Sequence, residues 1–287
     1  MENEHMNIQW YPGHMTKTRR QIEADLKQVD AVCEIVDARI PFASRNPDID
    51  AICGDKPRIV ILNRMDLADP EATKRWTAYF KAKGMAAVPT DCKSRKGIND
   101  FQPAVRSVLK EKIARNAAKG MNRPLRVMIV GIPNVGKSTL INQISGRKGA
   151  KAENRPGVTR GKQWVTVDSS LLLLDTPGIL WPRFEDPEVG MMLAYTGAVK
   201  DGILDVEELA CHLICVLHRR YPESLKERYK LEAEQGTPGY ELLEMAGRKR
   251  GFLISGGEID TERMAKVLLD EYRSGKLGRI TFEEPEE

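Results

Sequence analysis

Gly131-Ile132-Pro133-Asn134-Val135-Gly136-Lys137-Ser138 follows an apolar run, 125–130, and precedes a helical pattern, 139–144. Strand, glycine-rich turn and helix, in that order, is the setting in which GxxxxGK[ST] cradles phosphate. The glycines allow successive backbone N–H groups to curl around an anion, and the helix N-terminus adds a partial positive charge. The residues expected to meet the phosphates are Asn134, Val135, Gly136, Lys137, Ser138 and Thr139. Lys137 is expected to reach the outer phosphates and Ser138 to hold Mg2+ through its hydroxyl.

Four further stretches fit the same ligand. Asp175-Thr176-Pro177-Gly178 ends an apolar strand, 171–174. Asp175 is expected to bind Mg2+ through water, and the Gly178 N–H to sense the terminal phosphate. Between these two boxes lies Asn154-Arg155-Pro156-Gly157-Val158-Thr159, whose Thr159 is the expected second Mg2+ ligand. Upstream, Asn63-Arg64-Met65-Asp66 fits a base-recognition box. The Asp66 carboxylate can accept both N1–H and N2–H2 of guanine, and adenine offers no such pair of donors. Asn63 serves the N7 edge and ties loops together. Arg64 stands where lysine is usual, and its aliphatic stem can still cover the base plane. Asp91-Cys92-Lys93 stands where a backbone N–H, that of Cys92, is expected to meet the guanine O6. The ligand expected from these boxes is GTP or GDP with Mg2+.

The order of the boxes matters. The base-recognition residues precede the phosphate loop, whereas ordinary GTPases place them after it. Apolar runs at 31–36, 58–62, 85–88, 125–130, 163–167 and 171–174 alternate with helical patterns, including one from 98 to 118. Such alternation predicts an α/β doubly wound parallel sheet, here with circularly permuted motif order. From residue 185 the pattern is helical, with helices expected over 187–200, 205–219, 222–234, 238–250 and 260–274. The expected domains are therefore 1–184, the permuted nucleotide domain, and 185–287, an all-α domain. The acidic end, 283–287, is expected to fray.

The composition of the 287 residues, 30% charged and 41% hydrophobic, is that of a globular protein. No apolar run reaches the length of a membrane span, and the start of the chain lacks a hydrophobic signal core. A cytoplasmic location with no membrane partner is the expectation. The five cysteines form no CxxC pair, which argues against a zinc site, and the expected cytosolic compartment argues against a disulfide framework. Cys211 and Cys215 read as small core residues. The net charge of +4 is unevenly spread. Ten basic residues from Lys93 to Arg126 stand against Asp100 and Glu111, and six from Arg147 to Lys162 against Glu153. A basic stripe beside a nucleotide site points to a polyanion such as RNA.

The chain resembles the circularly permuted GTPases, and within them the ribosome biogenesis GTPase A (YlqF/RbgA) group. The residues that carry the resemblance are Trp10-Tyr11-Pro12-Gly13-His14-Met15, Asp37-Ala38-Arg39-Ile40-Pro41, the permuted box order and the stretch Leu193-Ala194-Tyr195-Thr196-Gly197-Ala198-Val199-Lys200-Asp201. The resemblance implies a GTP-hydrolysing factor in assembly of the large (50S) ribosomal subunit, stimulated by the particle, with C-terminal helices that bind rRNA. It implies the subclass in which a hydrophobic residue, here Ile179, replaces the water-orienting glutamine. It implies His14 as the catalytic residue that positions water instead, and a K+ site at Asn134. A monomer is expected. The competing expectation is an RNA-binding scaffold in which GTP is mainly structural.

Overall fold

A computed structural model describes residues 22–146, 163–178, 186–199 and 205–286. These fall into two compact units, one of residues 22–178 with 281–286, the other of residues 186–280. His14, Thr159 and Ile179 lie outside the described residues.

The first unit is built on six strands: β1 (Ala31–Asp37), β2 (Arg58–Asn63), β3 (Ala86–Pro89), β4 (Leu125–Gly131), β5 (Gln163–Asp168) and β6 (Leu171–Asp175). Their order in the sheet is β3-β2-β1-β4-β6-β5. Every residue of β1 is buried, as expected of a central strand covered on both faces. The sheet is mixed rather than wholly parallel, because β5 runs antiparallel to β6. The cause is the short connection through Ser169 and Ser170. Two residues can join antiparallel neighbours, whereas a parallel crossover needs a dozen or more. Asp168 closes that turn by accepting from the Ser170 N–H at 2.7 Å.

Five helices pack on this sheet. Residues 22–26 form the described part of α1, followed by α2 (Asp48–Cys53), α3 (Pro70–Ala82), α4 (Phe101–Val108) and α6 (Lys137–Ser145). Ile22 and Leu26 of α1 and Ile49 and Cys53 of α2 cluster with Val32, Met128 and Leu174. Trp76 and Phe80 of α3 cluster with Val36, Val60 and Leu62. From β2 to β3 the chain steps outward through α3, and from β3 to β4 it steps back past β2 and β1. Right-handed crossovers then put α3 and α4 on opposite faces. The single helix expected over 98–118 is broken at Leu109 into α4 and α5 (Lys110–Ala118). The break follows burial: α4 buries Phe101 and Val105, while α5 buries no residue and follows the solvent.

The described elements of the second unit are helices: α7 (Pro187–Tyr195), α8 (Val206–Arg220), α9 (Pro222–Tyr229), α10 (Gly239–Lys249) and α11 (Thr261–Arg273), with one β-bridge between Leu253 and Ile259. Asp186, Asp205 and Asp260 cap α7, α8 and α11 through their carboxylates. Two helices are shorter than their sequence pattern. The chain turns left-handed at Gly197 (φ 77°) soon after α7, and at Lys230 (φ 54°) directly after α9. Inside the unit, Glu271 accepts from Tyr229 at 2.7 Å and from Arg250 at 2.7 Å, and also pairs with Arg228.

Within the acidic end, expected to fray, Glu283 accepts from the Phe42 and Ala43 N–H groups and Glu284 pairs with Arg75. Residues 281–286 leave the helical unit and lie on the first one, with Thr281 and Phe282 buried. The expected boundary at 184/185 therefore needs an amendment: this last segment is part of the sheet unit.

Candidate nucleotide site

β1, β2, β3, β4 and β6 are parallel, so their carboxyl ends share one edge of the sheet. The strand order reverses between β1 and β4, and the crevice at such a switch point is where doubly wound sheets bind ligands. Asn63 ends β2, Gly131 ends β4 and Asp175 ends β6, so the expected boxes converge there.

The phosphate loop is held from beneath by the base-recognition box. Asn63 Nδ2 donates to the Val135 carbonyl at 2.7 Å. Its Oδ1 accepts from the Cys92 N–H at 3.2 Å and from the Thr90 hydroxyl at 3.4 Å. One buried amide therefore joins three loops, as the sequence suggested. Gly136 sits so close to it that a Cβ would come within 2.3 Å of Asn63 Nδ2, at a φ of 107°. Only glycine meets both conditions.

Two expectations change here. The Cys92 N–H was expected at the guanine O6, but it is engaged by Asn63 Oδ1. It belongs to the tie between loops, because Thr90 and Cys92 together satisfy the one side-chain oxygen that reaches them. Arg64, expected to cover the base with its stem, takes a left-handed turn (φ 63°) and donates from Nη2 to the Asn134 carbonyl at 2.6 Å. Its Nη1 lies 3.4 Å from Asp37 Oδ2. The planar guanidinium makes the two contacts from two separate nitrogens, a geometry that the single ammonium of a lysine does not reproduce. Asp66, half-buried, lies in the electrostatic neighbourhood of Cys92 together with Arg64.

Lys137 is buried, and its Nζ donates to the carbonyls of Gly131 and Ile132, each at 3.1 Å. Burial lowers its pKa to about 8, against the pull of Asp175. Burial likewise raises the Asp175 carboxyl to about 6, with Lys137 and a backbone N–H opposing. Both groups are thus biased toward neutrality until an anion and a cation arrive. Asp175 Oδ1 is buried with no hydrogen-bond partner among the described residues. An orphaned buried carboxylate oxygen at the end of β6 fits a hydrated Mg2+, and carboxylate with hydroxyl is the hard oxygen donor set that ion takes. Gly178 faces the same place: a Cβ there would lie 2.9 Å from Lys137 Nζ and 3.0 Å from Pro133 Cα.

Three residues absent from the expected set also shape the site. The Thr176 hydroxyl donates to the Ile129 carbonyl at 2.7 Å and fixes the start of the Asp175–Gly178 turn to β4. Thr90 shares the Asn63 amide. Asp37, at the end of β1, is buried and grips Arg39 through paired contacts of 2.9 and 2.8 Å. Position was the available signal for each, since all three flank a strand's carboxyl end.

A family model described as 50S ribosome-binding GTPase matches residues 126–245. A ribosome biogenesis GTPase A from Bacillus cereus is 50% identical over 283 residues, which span 98% of this chain and 95% of that protein. The chain belongs to the ribosome biogenesis GTPase A family. Two solved members of the family share its fold. GDP-bound YlqF aligns with a TM-score of 0.67 at 30% identity, covering 93% of this chain and all (100%) of that one. GNP-bound YlqF from T. maritima aligns with a TM-score of 0.62 at 31% identity, covering 94% and 99%. Membership makes the chain a GTPase, and the crevice at the β1/β4 switch point is where its phosphate loop and base box meet. Among the described residues no helix is long and apolar enough to cross a membrane.

Proposed function

We propose that this GTPase is an assembly factor for the large (50S) ribosomal subunit that binds rRNA and uses GTP hydrolysis as a switch. The observation that carries the GTP part is the Asn63 amide, which ties the guanine box to the phosphate loop at 2.7 Å. The ribosomal part is supported by the names of the relatives and by charge. All ten basic residues from Lys93 to Arg126 are exposed. Four of them, Lys110, Lys112, Arg115 and Lys119, lie on or beside α5, which buries nothing. In the helical unit Arg219, Arg220, Arg248 and Lys249 are exposed, while Arg250 is occupied by Glu271.

The sheet order is that of a GTPase sheet entered at a different strand, which supports the circular permutation. The domains are 1–184 for nucleotide and 185–280 for RNA, with the last residues returned to the first. Mg2+, held by Ser138, Asp175 and Thr159, supplies charge neutralisation on the phosphates. Lys137, freed from two carbonyls, meets the outer phosphates, and the loop N–H groups hold them in line. Asp66 selects guanine. His14 positions the attacking water, as no glutamine follows Gly178, and Asn134 contributes to a K+ site that offsets transition-state charge.

Turnover of GTP with and without purified large subunits, in KCl and in NaCl, tests this reading. Stimulation by the subunit is expected, larger in KCl. No stimulation in either salt would replace it with the scaffold reading, in which RNA is bound and GTP is mainly structural.

A further inference from the structure

The segment Asp37–Pro41 has no place in the reading above, and neither does the chain end that covers it. The two meet. The Phe282 N–H donates to the Arg39 carbonyl at 2.9 Å, and the Thr281 hydroxyl to the Ala38 carbonyl at 3.3 Å. The Glu283 carboxylate accepts from the Phe42 and Ala43 N–H groups at 2.7 and 2.9 Å. The Trp76 indole N–H donates to the Glu283 carbonyl at 3.0 Å.

From this turn two routes run into the nucleotide site. The Ala38 N–H donates to the Asn63 carbonyl at 2.8 Å, and Asn63 holds Val135. Arg39 donates to Asp37 from its backbone N–H, Nε and Nη2, at 2.8 to 3.0 Å. Asp37 faces Arg64, and Arg64 holds the Asn134 carbonyl. Asn134 is itself in a left-handed conformation (φ 59°) at the apex of the phosphate loop. A non-glycine residue so placed persists only when its surroundings restrain it. Asp37 and Arg39 are both buried, so neither can shift without stranding a charge.

We propose that Asp37 and Arg39 are positioning residues through which the docked segment 281–284 fixes the phosphate loop, with Arg64 as the last link. Undocking the segment loosens the turn at 38–43, then Asp37, then Arg64 and the Asn134 carbonyl. Bound nucleotide is then released faster. The proposal rests on nucleotide binding at the phosphate loop and not on any ribosomal role.

The test is a double-substitution cycle on release of a fluorescent GDP analogue from the full chain. Glu283→Ala is expected to speed release by about 3- to 10-fold, at the lower end of the coupling found for residues in one network. The same change made in an Arg64→Ala chain is expected to alter release by less than about 2-fold. Glu283→Gln, which keeps an acceptor oxygen, is expected to recover part of the loss. An equal acceleration in both backgrounds would overturn the relay, since the segment would then act as general packing. So would a lowered Tm with unchanged release. Should Glu283→Ala fail to fold, Arg75→Ala reads the same coupling by removing the partner of Glu284. Failure of the unsubstituted chain to bind the analogue would sink the site reading, and the relay with it.

Discussion

At the scale of single residues, the site is a set of buried groups whose charges are costly until the ligand is present. Lys137 shows this best. With its pKa lowered to about 8, free protein loses the ammonium as pH rises through that value. A bound phosphate favours the charged form, so binding takes up a proton above about pH 8. GDP affinity should therefore fall as pH climbs from 7.5 to 9.5, and calorimetry in buffers of different ionisation enthalpy should register the uptake. For folding of the free protein the sign is opposite: the unfolded chain holds more protons between about 8 and the usual lysine value, so stability from this group rises with pH there. Asp175 runs the other way. With its carboxyl raised to about 6, Mg2+ must displace a proton in acid, and Mg2+ affinity should drop as pH falls below 6. Asn63→Ala removes one donor and one acceptor shared by three loops. It should cost about 1–3 kcal/mol for each buried group left unsatisfied, visible as a lower Tm together with weakened GDP binding.

At the scale of elements, what could be read from sequence depended on whether neighbours in the chain are also neighbours in space. The strands at 31–37, 58–63, 125–131 and 171–175 announce themselves because each is dominated by a run of apolar residues without polar alternation, as strands covered on both faces are. Helix ends were less legible. The stop of α9 at Tyr229 is a left-handed Lys230, and lysine carries no signal for that conformation. The break at Leu109 is hidden because α4 and α5 share helix-forming composition and differ only in what lies beneath them. The uses of Arg64 and Cys92 were hidden for a related reason: their partners, Asn134 and Asn63, are decided by the crossing of loops and not by the box itself. The bare surface of α5 leads to a prediction of its own. Changing Lys110, Arg115 and Lys119 to glutamate should cost stability no more than about 0.5 kcal/mol at each position, as surface substitutions do. It should weaken binding to large-subunit RNA and flatten the salt dependence, since each lost phosphate contact lowers the slope by about one. Unchanged binding in a filter assay would remove α5 from the RNA surface.

At the scale of the molecule, two units share one chain but have separate reasons to be stable. The sheet unit buries β-branched strands, and the helical unit is pinned at its centre by Glu271. Burial pushes that carboxyl up, but Arg228, Tyr229 and Arg250 outweigh it and hold the pKa at about 2. Its contribution is therefore complete above the ordinary glutamate range and drains away as pH falls toward 2. Glu271→Ala should lower the stability of the helical unit by about 1–3 kcal/mol, a figure reduced for the partly exposed guanidiniums. Differential scanning calorimetry checks both statements: GDP should raise the transition of the sheet unit, and Glu271→Ala should lower the other.

The return of residues 281–286 to the first unit has a consequence for synthesis. The ribosome makes the sheet long before it makes the segment that finishes it. While residues 186–280 are translated, roughly 5 to 20 s at about 5–20 residues per second, the Arg39 carbonyl and the Trp76 indole have no partner from that segment. A nascent chain therefore carries a nearly complete nucleotide fold with one seam open, and closes it only after the helical unit has emerged.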